Sequence, residues 1–112
     1  MPPVRDQAQR DAALAQANAT RFHRAALKRR LKAEPHSLQA AIDVIADPPA
    51  MLATMKVADL LRSLKGFGPE RTNELLNHAG ASQVKTLAGL SPRQRSVLMA
   101  DLRTTQLRRR AL

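Results

Sequence analysis

The sequence predicts an all-α protein: a long N-terminal helix standing on a small helical body. Three observations predict it. Ala, Leu, Gln and Arg, all good helix formers, dominate the chain. No run of Val, Ile, Tyr or Thr alternates at the period of two that a strand needs. Apolar residues recur at spacings of three and four, in segments closed by proline, glycine or a capping residue. With two Phe and no Trp or Tyr, the core must be built from aliphatic side chains and Met.

The first segment, residues 4 to about 32, is polar, Ala-rich and free of Gly and Pro, so it reads as one helix of roughly seven turns or more. Pro2 and Pro3 can open it, and Asp6 and Asp11 suit its positive end. Its first half offers only Leu14 and alanines for burial, and is expected to project into solvent or along a partner. Its second half, "RFHRAALKRRLK", carries Leu27 and Leu31 one turn apart, with Phe22 and Ala26 on another side. Pro35 disfavours helix at Glu34 and ends the segment. Ser37 reads as the N-cap of "LQAAIDVIA", whose Leu38, Ala41, Ile42 and Ile45 share a face, and "DPPA" closes that helix.

The next helix, "LATMKVADLLRSL", supplies Leu52, Met55, Leu60, Leu61 and Leu64, with Thr54 as its cap. After the turn "KGFG" comes "PERTNELLNHA", stopped by Gly80. The loop "ASQVKTLAGL" leads to Ser91 and Pro92, a cap followed by proline at the first helical position. The last helix, "RQRSVLMADL", buries Val97, Leu98 and Leu102. The expected organisation is therefore a partly projecting helix over 1–34, a helical binding body over 35–103, and a frayed basic tail over 104–112.

Charge bounds the function. The net charge is +10 and the isoelectric point about 11.6, the electrostatic footprint of a protein whose partner is a polyanion. Residues 1–34 hold eight basic and three acidic side chains, and residues 62–112 hold ten and three. Between them, residues 35–61 have only Lys56 against three acidic groups, so two basic ends flank a middle of net charge −2. The absence of cysteine excludes disulfides and thiolate metal sites. No signal peptide or membrane-spanning stretch is visible, which fits a cytoplasmic chain. His23, His36 and His78 are scattered, without a carboxylate or second ligand at metal spacing. No nucleophile elbow or P-loop is present, so neither enzymatic activity nor a cofactor is expected.

The stretch "LLRSLKGFGPERTNELL", residues 60–76, carries the sharpest signal. Gly66 and Gly68 allow a tight turn that exposes backbone amides, and Pro69 suits the first position of the following helix. The unpaired N–H groups of that first turn, with the helix dipole behind them, make an anion site. Lys65, Arg71 and Thr72 can add charge and a hydroxyl to the same phosphate, while Phe67 turns inward. Such a site reads the backbone of a nucleic acid rather than its bases. Arg21, Arg24, Lys28 and Lys32 form a second candidate, a stripe along the first helix. Arg29 and Arg30 lie off it. Arg108 to Arg110 could add nonspecific affinity.

The residues "LKRRLK…SLQAAIDVI…MKVADLLRSLKGFGPERTNELLNHAG…LAGLSPRQRSVL", from Arg21 to Leu102, resemble the actinobacterial integration host factor family, which is unrelated in fold to its two-subunit namesake of enteric bacteria. "MKVADLLRSL" at 55–64 is the most specific piece. The resemblance implies a helix-two-turns-helix motif at the glycine turn. It also implies a nucleoid-associated protein that binds double-stranded DNA, bends or compacts it with little sequence preference, and assists phage integrase or other recombination proteins; the chain is expected to act as a monomer. Lys65, Gly66, Phe67, Gly68, Pro69, Arg71 and Thr72 would then hold phosphates, with the first-helix cations on the same duplex. Lys85, Arg93 and Arg95 would be a second DNA contact. There the chain departs from the family pattern: "QVKTLAGL" keeps only Lys85 where the family is strongly basic. Such divergence suits a paralogous or phage-borne member.

Two other readings stand beside this one. The same two-turn motif resembles that of a small-subunit ribosomal protein, which implies an RNA-binding, ribosome-associated module. Stacking platforms are scarce, however, which disfavours single strands. Alternatively, the Ala-rich helix could dock on a protein and make the chain an accessory factor.

Overall fold

The computed structural model describes residues 3–33 and 36–111, and the side chains of residues 7–33 and 36–111. Among them are five α-helices: α1 (Pro3–Ala33), α2 (Ser37–Ala46), α3 (Val57–Arg62), α4 (Pro69–Ala79) and α5 (Pro92–Ala111). A single 3₁₀ turn, Ala50–Leu52, joins α2 to α3, and there is no strand among the described residues. The predicted opening of α1 at Pro2 and its stop at Glu34 and Pro35 lie outside the described residues.

At 31 residues, α1 is about 46 Å long, and it draws the molecule out to 63 × 28 × 22 Å. Residues 7–16 are exposed throughout, as expected of a stretch with only Leu14 and alanines to bury. Leu27 and Leu31 fasten the other end to α2 and the 3₁₀ turn. Leu38, Ala41, Ile42 and Ile45 make the inner face of α2, which packs on α5 through Leu98 and Leu102. Val57, Leu60, Leu61 and Leu64 join Leu75 and Leu76 of α4 in the same core.

Local details depart from the sequence expectations where tertiary contacts take over. Ser37 is not the cap of α2. It is the first helical residue and buried, and His36 stands at the cap position with no side-chain hydrogen bond. Thr54 does not cap α3, which begins at Val57 after Lys56; its hydroxyl instead accepts from the Arg24 guanidinium. Val97 is half-buried rather than buried.

The loop after α4 explains the short α3. Val57 N–H donates to the Lys85 carbonyl at 2.9 Å, and Leu87 and Ala88 donate back to Met55 at 2.9 Å and Ala53 at 3.0 Å. The two loops are zipped together around a lone Lys56–Thr86 bridge, so residues 53–56 cannot be helical.

Three sequence stops hold. Gly80 takes φ 74°, and Ala81 N–H reaches the Leu76 carbonyl at 2.9 Å to close α4. Ser91 Oγ accepts from Gln94 N–H at 3.1 Å while Gln94 Oε1 accepts from Ser91 N–H at 3.0 Å, a reciprocal cap for α5. Pro92 is the first residue of that helix. The frayed tail, however, is absent: α5 continues helical to Ala111.

Candidate nucleic-acid interface

The glycine corner joins α3 to α4. Gly66 has φ 83°, a left-handed conformation that L side chains avoid, so a glycine is required there. Phe67 follows and turns into the core, with 9% of its surface exposed. Gly68 is different. Its φ of −102° suits any residue, and a Cβ built on it would meet nothing within 4 Å. Neither backbone strain nor packing explains this glycine, and the space before it opens on solvent at the N-terminus of α4.

Pro69, at the first position of α4, has no N–H to leave unpaired. Thr72 N–H is bonded to the Gly68 carbonyl at 3.1 Å, so the amides of Glu70 and Arg71 precede the helical ladder and sit at the positive end of the dipole. Lys65 is exposed beside them. Arg71 donates to Glu74 Oε2 at 3.2 Å and to Thr105 Oγ1 at 3.1 Å, and its guanidinium lies 6.0 Å from the Phe67 ring centre. Glu70, exposed in the first turn of α4, is a counter-charge that any phosphate here must tolerate.

Thr72 does not offer its hydroxyl to this site. It is fully buried, and its Oγ1 faces the interior without a hydrogen-bond partner. At the fourth position of α4, on the same face as Leu75 and Leu76, its side chain is turned away from the exposed amides.

The first-helix stripe divides. Lys65 N–H donates to the Leu31 carbonyl at 3.3 Å, which ties the end of α1 to the corner and brings Lys32 next to it, with Lys28 one turn back. Both lysines are exposed. Arg24 is half-buried and spent on Thr54, with its Nε buried. Arg21 leans on Asn18 at 3.5 Å, further up the helix. The stripe is thus an accessible pair near the corner and two arginines beyond it, one acting as a structural tie.

The second predicted surface loses Arg95. Its guanidinium donates to the carbonyls of Ile45, Leu87 and Leu90, closing the gap between α2, the 82–91 loop and α5. Three carbonyl acceptors at a half-buried position fix it there. Lys85 is half-buried and Arg93 exposed at the start of α5.

The sequence offers Arg109 only as part of the basic run Arg108 to Arg110, and the structure gives it partners of its own. Its Nη2 donates to the Lys65 carbonyl at 2.9 Å, and its guanidinium lies 5.6 Å from the Phe67 ring centre. Only the length of α5 puts it there, and no local motif signals that. His78, read as lacking a carboxylate, finds Asp101 across the α4–α5 interface with Nδ1 2.6 Å from Oδ2. Among the described residues no cluster of His, Asp or Glu could hold a metal ion.

Residues 31–102 match the family described as the S13-like H2TH domain. The chain is 34% identical over 105 residues to the integration host factor of Streptomyces coelicolor, covering 94% of this chain and 96% of that protein. It is 35% identical over 99 residues to the integration host factor of Mycobacterium tuberculosis, covering 88% and 92%. A solved structure of sIHF bound to an 8 bp palindromic DNA superposes with a TM-score of 0.66 at 32% identity, covering 79% of this chain and 98% of that one.

Proposed function

The chain belongs to the actinobacterial integration host factor family, and from that premise we propose that it binds double-stranded DNA through the phosphate backbone, with the glycine corner as its principal grip. The observation that carries this is Gly68, a glycine that the fold itself does not need, open to solvent at the N-terminus of α4. A phosphate oxygen can come as close there as the missing side chain allows, onto the amides of Glu70 and Arg71. Lys65, Arg71 and the α1 lysines Lys28 and Lys32 supply the surrounding charge.

Amides at a helix N-terminus and the cations around them address phosphates rather than base edges, so the reading is of affinity with little sequence preference. A nucleoid-associated role in bending or organising DNA, with site-specific recombination as the process served, follows the name its relatives carry. Integrase is the corresponding protein partner, and the chain works as a monomer. Bending needs a second contact, and Lys85 and Arg93 are the cations left for it.

Duplex RNA is the second reading, favoured by the S13-like character of the domain. Single strands fit less well, because the chain has no Trp or Tyr, Phe67 is buried, and Phe22 is the one exposed phenylalanine among the described residues.

Gly68→Glu tests the grip. With open space before it, the variant folds with an unchanged helical spectrum. Its carboxylate occupies the phosphate position, and like-charge repulsion should cost on the order of tenfold or more in DNA affinity. Undiminished binding by the folded variant would remove the corner from the interface.

A further inference from the structure

The last turn of α5 is anchored on the glycine corner by a group that no local motif announces. Arg109 donates to the Lys65 carbonyl at 2.9 Å and faces the Phe67 ring, and its Nη2 would stand 3.3 Å from a Cβ on Gly66. One turn earlier, Thr105 accepts from Arg71 at 3.1 Å, and Arg71 reaches the same ring. Two guanidiniums, one from α4 and one from α5, thus converge on Phe67 at the turn that exposes the amides. Arg108 lines a cleft of about 300 Å³ together with Arg71, Glu74, His78 and Asp101. The acidic groups there are already engaged, Glu74 with Arg71 and Asp101 with His78. Arg108 is left as a cation without a carboxylate partner among the described residues. Arg110 lines the cleft on the other side of Arg109, beside His36.

We propose, building on the DNA-binding reading above, that the last turn of α5 is the second half of the phosphate grip. Arg109 is a positioning residue that holds the corner in its open shape, and Arg108 and Arg110 are phosphate contacts on either side of it. The bland alternative is that three arginines merely neutralise the negative end of the α5 dipole. That alternative explains their presence in a last turn, but not why the middle one is bonded to the corner of a different helix pair.

Two variants of the full chain separate the possibilities, both measured as the salt dependence of binding to a mixed-sequence DNA duplex. Arg108→Ala/Arg110→Ala should lower the slope of log K against log salt by about two, since each phosphate contact contributes roughly 0.9. An unchanged slope, with only a lower melting temperature, would show that they serve the helix end alone.

Arg109→Lys keeps the charge but loses the planar fork. It should keep the slope, weaken binding at every salt concentration by roughly three- to tenfold, and shift the amide resonances of Gly66, Phe67 and Gly68. Wild-type affinity with undisturbed amides would overturn the positioning role. If the wild-type chain shows no salt-dependent DNA binding at all, the DNA-binding reading fails and this proposal with it. If the wild-type chain binds and both variants match it, only this proposal fails.

Discussion

At Thr72 and Gly68, four residues apart, one side chain is hidden that a phosphate site would use, and one is missing that the fold would accept. Gly66 needs its glycine for the backbone, at φ 83°; Gly68 does not, and that contrast separates the hinge from the binding position. Thr72 makes a second distinction. A buried hydroxyl without a partner costs the fold on the order of 1–3 kcal/mol, and Thr72 Oγ1 is one. Thr72→Val keeps the shape and drops the hydroxyl, so it should raise stability by about 1 kcal/mol, seen as a higher denaturant midpoint, and leave DNA affinity alone. A loss of affinity would mean the hydroxyl reaches the phosphate after all. The sequence motif names both residues as candidates, because spacing along a helix tells which turn a residue occupies. It does not tell which way the corner rotates that turn against the core.

Elements decide which cations are available. The five helices, the Gly80 stop, the Ser91 cap and the inward faces of α2 and α4 are legible from periodicity and capping, because those are local properties. Partners across the chain are not local. Arg24 and Arg95 look like surface cations in the sequence, yet each is bonded to groups 30 or 50 positions away. The length of α5 escapes for the same reason, since "RTTQLRRR" lacks an apolar stripe and gains its order from Arg71, Lys65 and Phe67. The division of the basic residues can be measured. Lys28→Ala/Lys32→Ala should leave the melting temperature nearly unchanged and reduce the salt slope by about two. Arg95→Ala should do the reverse. Three carbonyls lose a charged donor, stability falls by about 3 kcal/mol, and the slope for the folded fraction stays as in the wild type. A reduced slope in Arg95→Ala would restore that residue to the interface.

For the whole molecule, the relevant fact is where charge sits relative to the helices. The middle of the chain, where Lys56 is the one basic residue between positions 36 and 61, contributes α2, the 3₁₀ turn and most of α3; α2 packs against both α1 and α5, and the 3₁₀ turn against α1. The basic ends return to a common place: the Lys65 amide meets the end of α1 at the Leu31 carbonyl, and the Lys65 carbonyl meets the end of α5 at Arg109. Two runs that are remote in sequence are thereby joined at one residue of the glycine corner. The projecting half of α1, exposed over residues 7–16, adds length but little charge.

The central claim is that this convergence is a grip on the backbone of duplex DNA. The most direct test titrates salt against binding of the wild-type chain to several unrelated DNA duplexes, with an RNA duplex of equal length beside them. The account predicts nearly equal affinities for the DNAs, weaker binding to RNA, and a fall of affinity with salt that corresponds to several released counterions. Preference for the RNA duplex, or binding to none of them, would contradict it.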